Sequence, residues 1–175
     1  MGQALPKVGL RPFLPSDVSV LAAIFVASIE ELAEDDYSDA QREAWASAAE
    51  DEEAFGKRLA GQLTLVATIS SSPVGFASLK GTDHLDLLYV HPSVARQGVA
   101  SALCEAIEKL AAARGAGALT VEASDNAEAF FKRRGYVGQQ RNTVSVGDEW
   151  LANTTMRKML GGDAPSGAAA PGSLS

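Results

Sequence analysis

The chain has 175 residues, 46% hydrophobic and 21% charged, with a formal net charge of −7. That length suits one domain, the acidic balance argues against nucleic acid as a partner because phosphate backbones reward basic surfaces, and no run of about 18 apolar residues marks a membrane span. Its one cysteine, Cys104, excludes an internal disulfide, and no basic segment leads into an apolar core at the start, so the expected location is cytoplasmic.

Val8–Leu14 reads as an edge strand limited by Pro12 and Pro15, and Ser16 or Asp17 then caps a helix. Val18, Leu21, Ala22, Phe25, Ile29 and Leu32 recur at helical spacing and form one apolar stripe. An acidic helical stretch over 39–60 follows, with a break near Asp51. Leu63–Ile69 and Val74–Lys80 form a hairpin about Ser71-Ser72-Pro73. Leu85–Val90 is almost continuously apolar, the pattern of a central strand covered on both faces, and Pro92 ends it.

A second helix starts near Gly98, with Val99, Ala102, Leu103, Ala106, Ile107, Leu110 and Ala111 on one face, and Gly115 and Gly117 stop it. Ala118–Glu122 is a short strand, Asp125–Arg134 a short helix with Gly135 past its end, and 137–146 and 149–158 are two strands turning at Gly147-Asp148. The Gly-, Ala-, Pro- and Ser-rich stretch 161–175 is expected to be disordered, which leaves one domain over 1–160. The order of elements predicts an α/β (α+β) fold with a mixed, mostly antiparallel sheet. Its one parallel pair comes from the strand, helix and strand over 85–122.

Residues 30–53 hold eleven of the 22 acids and a single base, Arg42, so the remainder is mildly basic. A cationic amine would be drawn to the acidic segment and an anionic ligand to the rest; a solvated helix face is the alternative reading of such a run. No metal-ligand spacing appears. Cys104 falls in an apolar helix and reads as core packing.

The most informative stretch is Leu87-Leu88-Tyr89-Val90-His91-Pro92 followed by Ala95-Arg96-Gln97-Gly98-Val99-Ala100-Ser101. A buried strand leads through a short turn into a helix whose first residues are small. The first amides of a helix lack internal partners and carry partial positive charge, and Gly98 and Ala100 let a ligand approach the backbone. The turn over 95–100 thus has the makings of a phosphate site, though an ordinary strand-to-helix turn has the same spacing.

Two segments together point further. The first resembles motif A of the GNAT N-acetyltransferases, whose turn reads Gln/Arg-x-x-Gly-x-Gly/Ala. The second, from Ser124 through Ala127 to Phe130-Phe131-Lys132-Arg133-Arg134-Gly135-Tyr136, is similar to the family's Asn-x-x-Ala-x-x-x-Tyr-x-x-x-Gly-Phe. The resemblance covers about residues 6–160 and implies the GNAT fold and direct acetyl transfer from acetyl-CoA, with no metal and no covalent nucleophile. It implies that amides from Arg96, Gln97, Gly98, Val99, Ala100 and Ser101 hold the cofactor's pyrophosphate. The backbone of Leu88, Tyr89 and Val90 would pair with the pantetheine arm as a false strand, and Ser124, Asn126, Phe130 and Phe131 would line its other side. A strand amide near Tyr89 would meet the thioester carbonyl.

The chain departs from the pattern twice. Ala95 stands at the usual Gln or Arg, which implies weaker binding. Phe131 stands where the family often keeps a tyrosine general acid, and a phenyl ring has no proton to give. An alkyl thiol, with a pKa of roughly 8.5, leaves with help from water; Ser124 and Tyr136 are the nearby hydroxyls.

Amine acetylation also needs a proton acceptor. Strict alternation puts His84, Asp86, Leu88 and Val90 on one strand face, and Asp86 and His84 are the candidates; a structural carboxylate and a loop histidine are the alternative. Glu30, Tyr37 and Trp45 lie in the segment that usually walls the acceptor pocket. The expected activity is therefore transfer of acetyl to a primary amine of a small molecule. An acyl-CoA-binding module without catalysis is the alternative that Phe131 keeps open. Family members often pair, so a homodimer through a sheet edge or the last hairpin is also open.

Overall fold

The computed structural model describes residues 7–161, so the expectation of disorder over 161–175 lies almost wholly outside the described residues. A single sheet of seven strands forms the frame: β1 Val8–Pro12, β2 Leu63–Ile69, β3 Ser72–Lys80, β4 His84–Val90, β5 Ala118–Ser124, β6 Val137–Val146 and β7 Glu149–Met159. Their spatial order is β1-β2-β3-β4-β5-β7-β6. Only β4 and β5 run parallel, and every other neighbour pair is antiparallel. Among the described residues there are five α-helices, α1 Val18–Leu32, α2 Asp39–Ala46, α3 Glu52–Ala60, α4 Val99–Ala113 and α5 Glu128–Arg133, besides three short 3-10 turns.

The apolar stripes bury as two cores on opposite faces of the sheet. Leu21, Phe25 and Ile29 of α1 and Phe55 and Leu59 of α3 pack with Val66, Phe76 and Leu87. Val99, Leu103 and Ile107 of α4 pack with Ala67, Ala77, Leu79 and Leu119. Val66 and Ala67, like Phe76 and Ala77, are sequence neighbours that feed different cores, as pleated strands require.

Local signals account for most boundaries. Ser38 Oγ accepts from Gln41 N at 3.1 Å while Gln41 Oε1 accepts from Ser38 N at 2.9 Å, a capping box that starts α2. Asp51 Oδ1 accepts from Ala54 N at 3.1 Å and starts α3, which is the break expected near Asp51.

Several details differ from expectation. β1 stops at Pro12. Neither Ser16 nor Asp17 caps α1 with its side chain; buried Asp17 instead accepts from Leu14 N and from Arg11, each at 2.8 Å. Leu32, at the end of the stripe, is exposed. The first hairpin turns one residue early, on Ser70 and Ser71 with φ of 52° and 69°, a pair of positive φ values that suits a two-residue hairpin.

The difference that matters most lies in β4. Ser78 pairs with Leu87 and Leu79 with Leu85, so Asp86 is an extra residue, a β-bulge. The bulge resets the alternation: Leu85, Leu88 and Val90 join the α4-side core, whereas Leu87 and Tyr89 join the other. Asp86 bonds to Arg58 of α3. The expectation that His84, Asp86, Leu88 and Val90 share one face is thus overturned, because one inserted residue inverts everything after it.

Candidate active site

β4 and β5 pair only at His84↔Thr120 and Leu85↔Val121. Beyond that seam β4 stays with β3 as far as Val90, and β5 stays with β7 as far as Ser124. The two strands therefore part, and a cleft opens between them. Within it lies a partly open pocket of about 90 Å³, lined by Asp86, Leu88 and Tyr89 from β4, by Glu122 and Ser124 from β5, and by Ser28, Trp45, Asn126 and Phe131.

On the α4 side, His91 Nδ1 accepts from Ser93 N at 3.1 Å and shapes the turn after β4. Arg96 then adopts φ 65° and Gly98 φ 84°, and Ala102 N bonds Gly98 O at 3.0 Å as an early rung of α4. The amides of Val99, Ala100 and Ser101 precede that rung, so the ordinary helix ladder gives them no acceptor. A Cβ at Gly98 would meet no protein atom within 4 Å. Glycine is needed there for its backbone conformation, and the absent side chain leaves the amides accessible. Arg96 and Ser101 are exposed and Gln97 is half-buried.

On the other face, Asp86 Oδ2 accepts from Arg58 Nε at 3.0 Å and from Gln62 Nε2 at 2.8 Å. His84 Nε2 lies 2.9 Å from Glu122 Oε1 across the parallel seam. His84 itself is not in the lining; Glu122 is. Trp45 Nε1 donates to Tyr89 Oη at 3.3 Å. Burial pushes the Tyr89 phenol up to about 12, so it stays protonated at neutral pH.

Tyr37 is buried, its Oη donating to Ala152 O at 2.6 Å and accepting from Asp125 N at 2.9 Å. It lies outside the pocket lining and ties the α1–α2 loop to β7 and to the segment after β5. Trp45 packs edge-on against it at 5.4 Å. Glu30 is exposed and lines a separate depression with Asp39 and Glu43 between α1 and α2. Trp45 is thus brought to the cleft, Tyr37 stands behind it, and Glu30 lies apart.

Phe131 is 3% exposed, its ring 5.1 Å from those of both Phe130 and Tyr136. Tyr136 is equally enclosed, and its hydroxyl donates to Glu108 Oε2 at 2.8 Å, which removes it as a proton donor to the cleft. Glu108 also accepts from Arg134 at 3.0 Å and from Lys158 at 3.1 Å. Desolvation would raise its pKa, but the bonds from Tyr136, Arg134 and Lys158 outweigh it and hold the carboxyl below its ordinary value.

Sequence reasoning missed Glu122, Ser28 and the pair Arg58 and Gln62. The one sequence signal for Glu122 was its acid in an otherwise uncharged strand, and its place one residue past the seam emerges only from the β4–β5 register.

Among the described residues no group of three or more His, Cys, Asp or Glu is placed to hold a metal ion, and no helix is long and apolar enough to cross a membrane. The family model for an acetyltransferase (GNAT) domain matches residues 33–160. The uncharacterized N-acetyltransferase YafP of Escherichia coli (strain K12) is 35% identical over 151 residues, 86% of this chain and 95% of that one. A GCN5-related N-acetyltransferase from Rhodopseudomonas palustris, its structure described as "Aminotransferase, Class-II", is 63% identical, with 91% of this chain and 99% of that chain covered at a TM-score of 0.87. The PaiA N-acetyltransferase from Thermoplasma acidophilum, solved with coenzyme A, shares the fold at 17% identity and a TM-score of 0.72, covering 87% and 99%.

Proposed function

The chain belongs to the GNAT acetyltransferase family, and on that premise we propose that it moves the acetyl group of acetyl-CoA directly to a primary amine of a small molecule. The observation that carries this reading is the parting of β4 from β5, with the first turn of α4 on one side and acids on the other.

The pyrophosphate binds the amides from Arg96 through Gln97, Gly98, Val99, Ala100 and Ser101, a helix N-terminus with no side chain in the way at Gly98. The pantetheine arm carries amides and lies along Leu88, Tyr89 and Val90, where β4 has left its parallel neighbour. Ser124, Asn126, Phe130 and Phe131 form its other wall. Coenzyme A bound to a protein of the same fold supports this placement.

The acceptor enters from the α1–α3 face. Asp86 draws the ammonium into the pocket, with Trp45 as a wall and Tyr37 bracing it; Glu30 adds to the acidic approach. Asp86, which lines the pocket, and His84, 2.9 Å from the lining residue Glu122, are the candidate bases for the amine's proton. Phe131 has no hydroxyl to give and that of Tyr136 is committed to Glu108, so the thiolate departs by taking a proton from water. A cytoplasmic setting fits the free buried thiol of Cys104. Exposed Val137, Trp150 and Met159 on the last hairpin support a homodimer through that edge.

The test is thiol release from acetyl-CoA with a panel of amines, polyamines, amino acids and aminoglycosides, alongside calorimetry of acetyl-CoA. Binding with turnover of a small amine is expected. Binding without turnover of any amine would leave a binding module, and no binding would overturn both.

A further inference from the structure

We propose that Tyr37, together with the Asp125–Arg141 pair, is a positioning residue for the acetyl donor: it fixes the turn after β5 that carries one wall of the donor cleft. This rests on the acetyl-transfer reading above. On that reading the pantetheine arm runs between Leu88–Val90 of β4 and the side chains of Ser124 and Asn126, and both of those residues line the pocket. Asp125 sits between them in the chain. Whatever holds Asp125 therefore sets the width of the cleft. Tyr37, Asp125 and Arg141 are themselves outside the lining.

The β5–β7 ladder shows what holds it. Leu160 N donates to Gly117 O at 2.9 Å, and bonded pairs recur at every second residue of an antiparallel ladder. Along the register from Ala118↔Met159 to Ser124↔Asn153, the bonding positions are therefore Leu119 with Lys158, Val121 with Met156 and Ala123 with Thr154. The next would join Asp125 to Ala152. The Tyr37 hydroxyl occupies that place, accepting from Asp125 N at 2.9 Å and donating to Ala152 O at 2.6 Å. One inserted oxygen replaces a direct rung. The chain accordingly leaves the sheet after Ser124 and turns, with Ala127 N donating to Ser124 O at 2.9 Å.

The Asp125 carboxylate secures the same turn from β6. Arg141 donates to its two oxygens at 2.5 and 3.0 Å, and to Thr154 Oγ1 at 3.1 Å. Tyr37 is buried, its ring edge-on to Trp45 at 5.4 Å, and Trp45 Nε1 donates to Tyr89 Oη at 3.3 Å. Beyond the seam, β4 and the turn after β5 are thus bridged by Trp45 and Tyr37, two side chains of the acceptor-side segment. A phenylalanine at 37 keeps the ring packing but offers neither a donor nor an acceptor to the two backbone groups, so Asn126 loses its fixed place.

The experiment is calorimetry of acetyl-CoA on the unsubstituted protein, Y37F and D125A, at a temperature where circular dichroism shows each to be folded. Thiol release at saturating acetyl-CoA gives the KM of the amine that the wild type uses best. Y37F raises the Kd of acetyl-CoA about tenfold, the size of one lost hydrogen bond, while the KM of the amine stays near the wild-type value. D125A keeps the backbone N–H that meets Tyr37 but loses Arg141, and raises the donor Kd about threefold. Charge alone predicts the opposite sign there, because removing an acid favours an anionic ligand; this readout does not depend on whether Y37F folds. A Y37F protein that binds acetyl-CoA like wild type overturns the proposal: a raised amine KM would then put Tyr37 in the acceptor wall, and no change in either would leave it a structural residue. Unchanged or tighter donor binding by D125A overturns it as well. Absence of acetyl-CoA binding by the unsubstituted protein overturns acetyl transfer itself, and this proposal with it.

Discussion

Replacing Glu108 by glutamine tests whether the carboxylate on α4 is the knot that joins α4, α5 and β7. Its two oxygens accept from Tyr136 at 2.8 Å, Arg134 at 3.0 Å and Lys158 at 3.1 Å, with Cys104 Sγ at 3.4 Å, and the residue is 9% exposed. The glutamine keeps the shape and one oxygen but removes the charge. Breaking a buried pair costs roughly 3–5 kcal/mol when the surviving charge is sealed from water. Here Arg134 and Lys158 keep side-chain exposures of 21% and 27% and can recover hydration. The expected loss is therefore about 2–3 kcal/mol, or a fall in Tm of about 5–10 °C for a domain of this size.

The sign with pH follows from the same contacts. In the folded state the bonds from Tyr136, Arg134 and Lys158 hold Glu108 below the ordinary carboxyl value of 4.5. Its contribution is therefore present above pH 4.5 and lost as pH falls toward the folded value. Urea unfolding of wild type and E108Q at pH 7 and at pH 3 measures both. A difference under about 0.5 kcal/mol at pH 7, or one that stays constant between the two pH values, would refute the reasoning.

Gly98→Ala places a side chain at φ 84° with no atom to clash against, so folding should weaken by only about 1–2 kcal/mol while acetyl-CoA affinity falls at least tenfold by calorimetry; unchanged affinity would move the pyrophosphate elsewhere. Tyr37→Phe leaves Asp125 N and Ala152 O without their hydroxyl partner, and should cost about 1–3 kcal/mol in chemical denaturation. Cys104, whose thiol burial pushes up to about 11, should react with a thiol reagent only after denaturant is added; rapid labelling of the native protein would contradict its placement against Glu108 and Tyr136.

Much of the frame was readable from local chemistry. The capping pair Ser38 and Gln41, the αL glycine Gly98 and the apolar stripes on α1 and α4 act within a few residues of themselves, and sequence displays such effects directly. The site was less readable because its decisive features are nonlocal. The bulge at Asp86 comes from the register of β3 against β4, and no pattern in His84–Val90 announces it. Glu122 gains its meaning from His84, thirty-eight residues away in the chain but adjacent across the seam. Glu108 borders a stripe that reads as purely apolar, and its partners come from 134, 136 and 158.

The sheet also acts as a partition. The turn at Gly98 belongs to α4 on one face, whereas Trp45 and Arg58 belong to α2 and α3, and the helices that pack with them cover the other. The two sides meet at Tyr89, whose hydroxyl accepts from Trp45 and whose ring packs on Phe25 of α1. On the proposed assignment of the two faces, substitutions in α1–α3 that retain Tyr37 and keep clear of Tyr89 are the ones to alter the acceptor while sparing the grip on the acetyl donor.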